Sequence, residues 1–346
     1  MTYRFFATLA AALLLPATSG AGNWADVKEW PDFDESKRIC RKFMNVKSPE
    51  SDRPDAKSLA ALTQCDSEML YYGIGQQADP VASRSCAFAE RNRREDSPLR
   101  GDAMLMTIYA NGVGAKRRLD VAIALACTLD GAPAEIDGRV KHLYQLMAQN
   151  WTGHDFSWCD DITSGLAQGY CADHNSRIEG PKRAARLAKV DNKVAKGPAG
   201  NLLLKLKKAA EAFIESRGDS EVSPMGTAHT ALTIGEKESL QRQFVDDLEG
   251  LASGKPPCAG AKEAADADAQ LNAIYRKIQR RPANEFMEDS GNVEQSGIKE
   301  TQLAWLKYRD AWVAFVAVAY PNIAKTSLVN CLTQRRVEQL AEFVVD

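Results

Sequence analysis

Apolar residues begin the chain as one unbroken run, Phe5 to Leu15, and then recur with helical spacing. The clearest case is Ile298, Thr301, Trp305, Tyr308, Trp312, Phe315 and Ala319, spaced alternately three and four. That spacing puts all seven on one face, as in the seam of a helical bundle. Pro321 ends the helix, and a last one from about Leu328 would bury Leu332, Leu340 and Phe343. Upstream, Ala261 to Arg280 reads as a helix with Leu271, Ile274, Tyr275 and Ile278 on one side. A polar loop with Pro282, Ser290 and Gly291 should follow it. Residues 201–217 and 234–252 read as two further helices, and residues 177–208 as a basic helical stretch broken at Gly197-Pro198. Near the start, a short helix around Cys40 leads into a loop marked by Pro49 and Pro54.

A repeat runs through the first half. Tyr72-Gly73-Ile74-Gly75 is followed by Asp79 and, seven residues on, Cys86; Asn111-Gly112-Val113-Gly114 is followed by Asp120 and, seven residues on, Cys127. Glycine suits the left-handed turn that ends a helix, and aspartate is a good N-cap for the next. The unit is helix, glycine turn, capped helix, with a period near 40. Such a period is that of a helical solenoid. The stretch Ala103 to Gly114 resembles the Sel-one-like repeat, a relative of the tetratricopeptide repeat, over roughly residues 57–140. The expected fold class is all-α, with helical-hairpin repeats followed by a C-terminal helical bundle.

The opening run has 11 residues, after Arg4 and before Pro16 and the small residues Ala17 to Ala21. A membrane-spanning helix needs about 20, so the run reads as a secretory signal peptide with cleavage expected after Ala21. No stable membrane span is expected, and the protein should be periplasmic or secreted. The rest divides into an acidic, irregular segment (22–56), a repeat module with disulfides (57–176), a basic helical middle (177–252) and a C-terminal helical domain (258–346). Ser253 to Pro257 forms the linker before the last.

Composition is that of an ordinary globular chain, 45% apolar and 26% charged. The net charge of −2 offers no basic field for nucleic acid. Eight cysteines, Cys40, Cys65, Cys86, Cys127, Cys159, Cys171, Cys258 and Cys331, in an oxidising compartment predict disulfides. The spacing of Cys159 and Cys171 suits a local bridge. The pairing of Cys40, Cys65, Cys86 and Cys127 stays open. An alternative for the middle pair is zinc, since His154, Cys159, Cys171 and His174 supply two sulfurs and two imidazoles. The spacing fits no standard finger, and exported thiols oxidise, so a bridge is preferred and no metal or other cofactor is expected.

The last quarter carries a specific resemblance. Asp266-Ala-Asp268-Ala-Gln-Leu271-Asn272-Ala-Ile-Tyr275, then Gln302-Leu-Ala-Trp305-Leu-Lys-Tyr308-Arg309-Asp310-Ala311, then Cys331-Leu332 with Arg335 or Arg336 and Leu340 occur in that order. Together they resemble the LprI-type lysozyme-inhibitor family, whose signature is Q-x-x-W-x-x-Y-R-D-A. That family usually has a cysteine shortly after the signature, where Trp312 and Val313 stand here. The resemblance therefore implies a bridge from Cys331 to Cys258. Phe213 and Arg217 lie 92 residues before Trp305 and Arg309, as Leu240 and Leu248 lie before Leu332 and Leu340. Residues 200–250 are thus either a degenerate copy of the same hairpin or an unrelated helical pair.

Several clusters could carry function. Trp305, Tyr308 and Arg309 could form a binding epitope, but their place on the apolar stripe favours a core role, with Arg309 or Asp310 in a structural ion pair. Lys182, Arg183, Arg186, Lys189, Lys193 and Lys196 could meet an anionic surface, though a solvated helix face is the plainer reading. Glu285, Glu288, Asp289 and Glu294 could steer a basic partner. Enzyme signatures are missing: the chain has no G-x-S-x-G, no H-E-x-x-H and no phosphate-binding glycine loop. The expectation is a non-catalytic binder with a protein partner and without a small-molecule ligand. The resemblance implies a lysozyme or related peptidoglycan hydrolase as that partner. The alternative is a helical-repeat scaffold for envelope assembly or stress response.

Overall fold

The computed structural model describes residues 22–94, 97–194, 198–255, 257 and 266–344. The signal-peptide reading of residues 1–21, Lys196, Gly197 and Cys258 lie outside them. Among the described residues there are fourteen α-helices and no strand, so the all-α expectation holds. No helix among them is long and apolar enough to cross a membrane.

The first half begins with α1 (Asp34–Phe43), α2 (Ala56–Ala61), α3 (Ser67–Tyr72) and α4 (Pro80–Arg93). It continues with α5 (Gly101–Asn111), α6 (Leu119–Ala126) and α7 (Pro133–Ala148). Gly73 and Gly112 end α3 and α5 with φ of 69° and 66°, the left-handed turn expected of glycine there. Asp79 caps α4, accepting from the Ala82 N–H at 2.9 Å. Asp120 does not cap α6 as expected. Arg118 occupies the cap position, because its N–H donates to the Tyr109 carbonyl at 2.9 Å and fixes the entry into the helix. Asp120 sits in the first turn instead, taking bonds of 2.9 and 2.7 Å from the Arg118 guanidinium.

Helix α5 is buried on nearly every face, with Met104, Leu105, Met106, Ile108 and Tyr109 sealed between α4 and α6. Bridges Cys40–Cys127, Cys65–Cys86 and Cys159–Cys171 staple this first core. Cys86 and Cys127 hold equivalent places in the repeat, yet one closes a local loop and the other reaches back to α1.

Helix α8 (Gly165–Val194) belongs to both halves: Ala167 and Cys171 lie in the first core and Val190 in the second. The second core adds α9 (Pro198–Ser220), α10 (His229–Ala252), α11 (Ala267–Arg280), α12 (Ala283–Asp289), α13 (Gln295–Ala319) and α14 (Lys325–Ala341). The predicted polar loop after α11 is in fact α12. Phe286 decides this: fully buried, it packs 6.3 Å from the Phe343 ring and organises one polar turn around itself. The seam of α13 faces inward as its spacing predicts, with Ile298, Thr301, Trp305, Tyr308, Trp312 and Phe315 buried. Helix α9 lies antiparallel on that seam. Phe213 stacks on Tyr308 with centroids 5.3 Å apart, and the Ser216 and Thr301 hydroxyls meet at 2.8 Å. Cys331 is buried and disulfide-bonded.

Candidate binding site

The signature residues support the fold more than they form a surface. Trp305 is 2% exposed and Tyr308 is 8% exposed. Burial pushes the Tyr308 phenol well above its usual range. The Gln302 amide oxygen accepts from Arg336 Nε at 2.9 Å. Arg309 lies 5.2 Å over the Trp305 ring and pairs with Asp310 at 3.3 Å and with Asp268 at 3.8 Å. Only Asp310 stands clear in solvent, its side chain 71% exposed.

Beneath one end of the α9–α13 pair lies a buried ion network. Arg336, with no exposed surface, gives two bonds to Glu221 at 2.6 and 2.8 Å. Arg217 shares Glu221 at 2.7 Å and also bonds Glu236 and Glu342. Burial alone would lower the Arg217 pKa, but the Glu221 and Glu236 carboxylates outweigh it and hold the guanidinium charged. Such a network is costly to break, because removing one partner strands a buried charge. Nearby, Arg335 is held by both oxygens of Asp247, whose carboxyl burial pushes up against the pull of that arginine.

Directly outside this network the chain forms a groove of about 340 Å³ where the C-terminal end of α9 meets the start of α13. Asp219, Glu294 and Glu300 line it and are exposed. Two features set its shape. Gly297 lets the helices close up, since a Cβ there would come within 2.8 Å of the Ser220 side chain. Ser223 donates to the Gly291 carbonyl at 2.6 Å, pinning the turn before α13 to the turn after α9. Lys237 bonds Asp219 at 2.7 Å and also Glu215, so Glu294 and Glu300 carry the net negative charge. Opposite charge along a cleft steers basic partners within about a Debye length, ~8–10 Å.

Other candidate groups are dispersed. Cys159 and Cys171 are bridged, His154 bonds the Asn111 carbonyl at 2.7 Å, and His174 bonds Glu68 at 2.6 Å, so the four residues weighed for zinc do not converge. Arg183 and Arg186 turn toward α10 and pair with Glu238, Asp246 and Glu249, while Lys182, Lys189 and Lys193 stay exposed. Of the acidic group, Asp289 at the end of α12 is tied to Arg281 just after α11, Glu285 and Glu288 are exposed on α12, and only Glu294 reaches the groove. Asp219, Glu221 and Glu300 escaped the sequence reading, since nothing local marks residues that meet only through the packing of α9 on α13.

The molecule is therefore an all-helical protein with a disulfide-stapled first core and an ion-locked second core. The C-terminal part of the second core, residues 257–342, matches the family model described as Lysozyme inhibitor LprI. The match covers about a quarter of the chain. No curated protein and no solved structure matches it.

Proposed function

We propose that this chain is an exported inhibitor-like protein that binds a lysozyme or a related peptidoglycan hydrolase and slows it. The family match over residues 257–342 carries the reading. Three disulfides placed among the described residues, with Cys331 bonded as well, favour an oxidising compartment outside the cytoplasm. The acidic groove adds a contact surface of suitable chemistry, because lysozymes are typically basic. Charge complementarity of this kind contributes mainly to encounter rate and partner choice. The test is clearing of a cell-wall suspension by lysozyme with increasing amounts of the purified, disulfide-intact protein. Slower clearing that saturates with molar ratio is expected; unchanged clearing at large excess across several lysozymes would remove the reading.

A second reading, a scaffold working through the repeat module, draws on a groove of about 380 Å³ between α2 and α4 that includes Leu59, Leu62 and Ala89. Affinity capture from periplasmic extract separates the two. Partners lost on Leu59→Asp favour the scaffold, and partners lost on Glu300→Lys favour the inhibitor-like domain.

A further inference from the structure

The second core is built from two units with the same internal arrangement. In the C-terminal unit, α13 and α14 form a hairpin and α11 packs on α14, running the same way: Tyr275 lies near Arg336 and Phe286 near Phe343. In the preceding unit, α9 and α10 form a hairpin and α8 packs along α10, again in the same direction. There Ser176 and Arg183 bond Glu238, and farther along Arg186 bonds Glu249. At a constant offset of 92 residues, buried positions correspond: Leu206 with Ile298, Phe213 with Trp305, Leu240 with Leu332, Leu248 with Leu340.

The contacts between the units follow an approximate two-fold axis near Phe213 and Trp305. Helices α9 and α13 are antiparallel about it, through Phe213–Tyr308, Ser216–Thr301 and Ser220–Gly297. Corresponding positions on the outer helices also cross over. Phe244 of α10 packs on Tyr308 and Trp312 of α13, while its counterpart Arg336 of α14 lies 5.9 Å over Phe213 of α9. A small crevice on the axis is lined by three counterpart pairs: Phe213 and Trp305, Leu240 and Leu332, Gln243 and Arg335.

We infer that α8–α10 is a divergent second copy of the α11–α14 unit, and that the apolar face of α13 is a pairing face whose natural occupant is another such unit. The family match spans only one unit. Alone, that unit would leave Trp305, Tyr308 and Trp312 facing water, an apolar patch of the kind that pairs. Because a two-fold pairing face is self-complementary, a unit freed from its internal mate should accept a second copy of itself. The signature face is thus occupied from within, and any outside partner must use outward surfaces such as the acidic groove. This inference rests on packing and stands whether or not lysozyme is bound.

The test starts from the whole folded, disulfide-intact chain carrying a specific protease site between Gly254 and Lys255. After cleavage the halves should remain a one-to-one complex. At a urea concentration partway up the unfolding transition, native mass spectrometry should then show folded pairs of the 255–346 half as well as the original complex. Adding excess N-terminal half should remove those pairs at least tenfold. Release of the 255–346 half as a folded monomer, or its recovery of helix only beside the N-terminal half and never as a pair, would overturn the inference.

Discussion

The two cores are held by different means. The first is small-residue-rich, wrapped around α5, and crossed by three disulfides. The second relies on an aromatic seam from Phe213 through Tyr308 to Trp312 and Phe315, closed at one end by Arg217, Glu221 and Arg336. Short repeat helices bury little area each and gain most from restricting the unfolded chain. Long paired helices each bury a larger apolar surface, and the bonded Cys331 on α14 adds a covalent tie there as well. The difference teaches that the core of shorter helices leans more on covalent closure and the core of longer helices more on its seam and ion network, and it can be attacked from both sides.

The largest effect should come from removing the Cys40–Cys127 bridge, which closes a separation of 87 residues. Replacing both cysteines with serine should destabilise the first core by ~4–5 kcal/mol on the chain-entropy estimate. Peptide-resolved hydrogen exchange should show α5 losing protection while α13 keeps it; equal losses would mean that the cores are not distinct.

Next is the second core's own lock. Glu221→Gln leaves Arg336 and Arg217 short of a carboxylate in a buried site and should cost about 3–5 kcal/mol. Trp305→Ala should cost a similar ~3–5 kcal/mol by cavity formation. Here the pattern should reverse, with α13 and α9 losing protection and α5 retaining it.

A smaller effect concerns the joint between the cores. Glu68 on α3 is 3% exposed and accepts from His174 and Arg177 of α8, each at 2.6 Å. Burial pushes the Glu68 carboxyl up, but the His174 bond and the Arg177 charge together bring it below its ordinary 4.5. A depressed folded pKa means the contribution is complete above that value and fades as pH falls through the folded one. The stability gap between the wild type and Glu68→Gln should therefore shrink as pH falls below about 4.5. Nearby Glu90 has the opposite sign, its carboxyl raised by burial, so the variant-minus-parent difference is the quantity to read. A gap that kept widening below that pH would contradict the assignment.

How much of this was legible in the sequence depends on range. The α13 seam was, because three-four spacing is local and the core simply accepted it. The glycine turns at Gly73 and Gly112 were legible for the same reason. Asp120 misled because a neighbouring arginine at the cap position outcompeted a good capping residue. Helix α12 was hidden by its polar composition, with Phe286 its single buried anchor. The Glu68–His174 pair, 106 residues apart, and the Arg336–Glu221 pair, 115 apart, leave no local trace. The same holds for the groove, whose walls come from two separate helical units.

The smallest change in stability should accompany the largest change in recognition. Glu294→Lys with Glu300→Lys alters two exposed positions and should shift stability by less than ~0.5 kcal/mol. Calorimetric titration of a basic lysozyme into the parent and into this double variant is the most direct measurement. The account predicts saturable binding by the parent, weakening as salt rises, and at least tenfold weaker binding by the variant with unchanged melting. No heat of binding from the parent, at any salt, would contradict it.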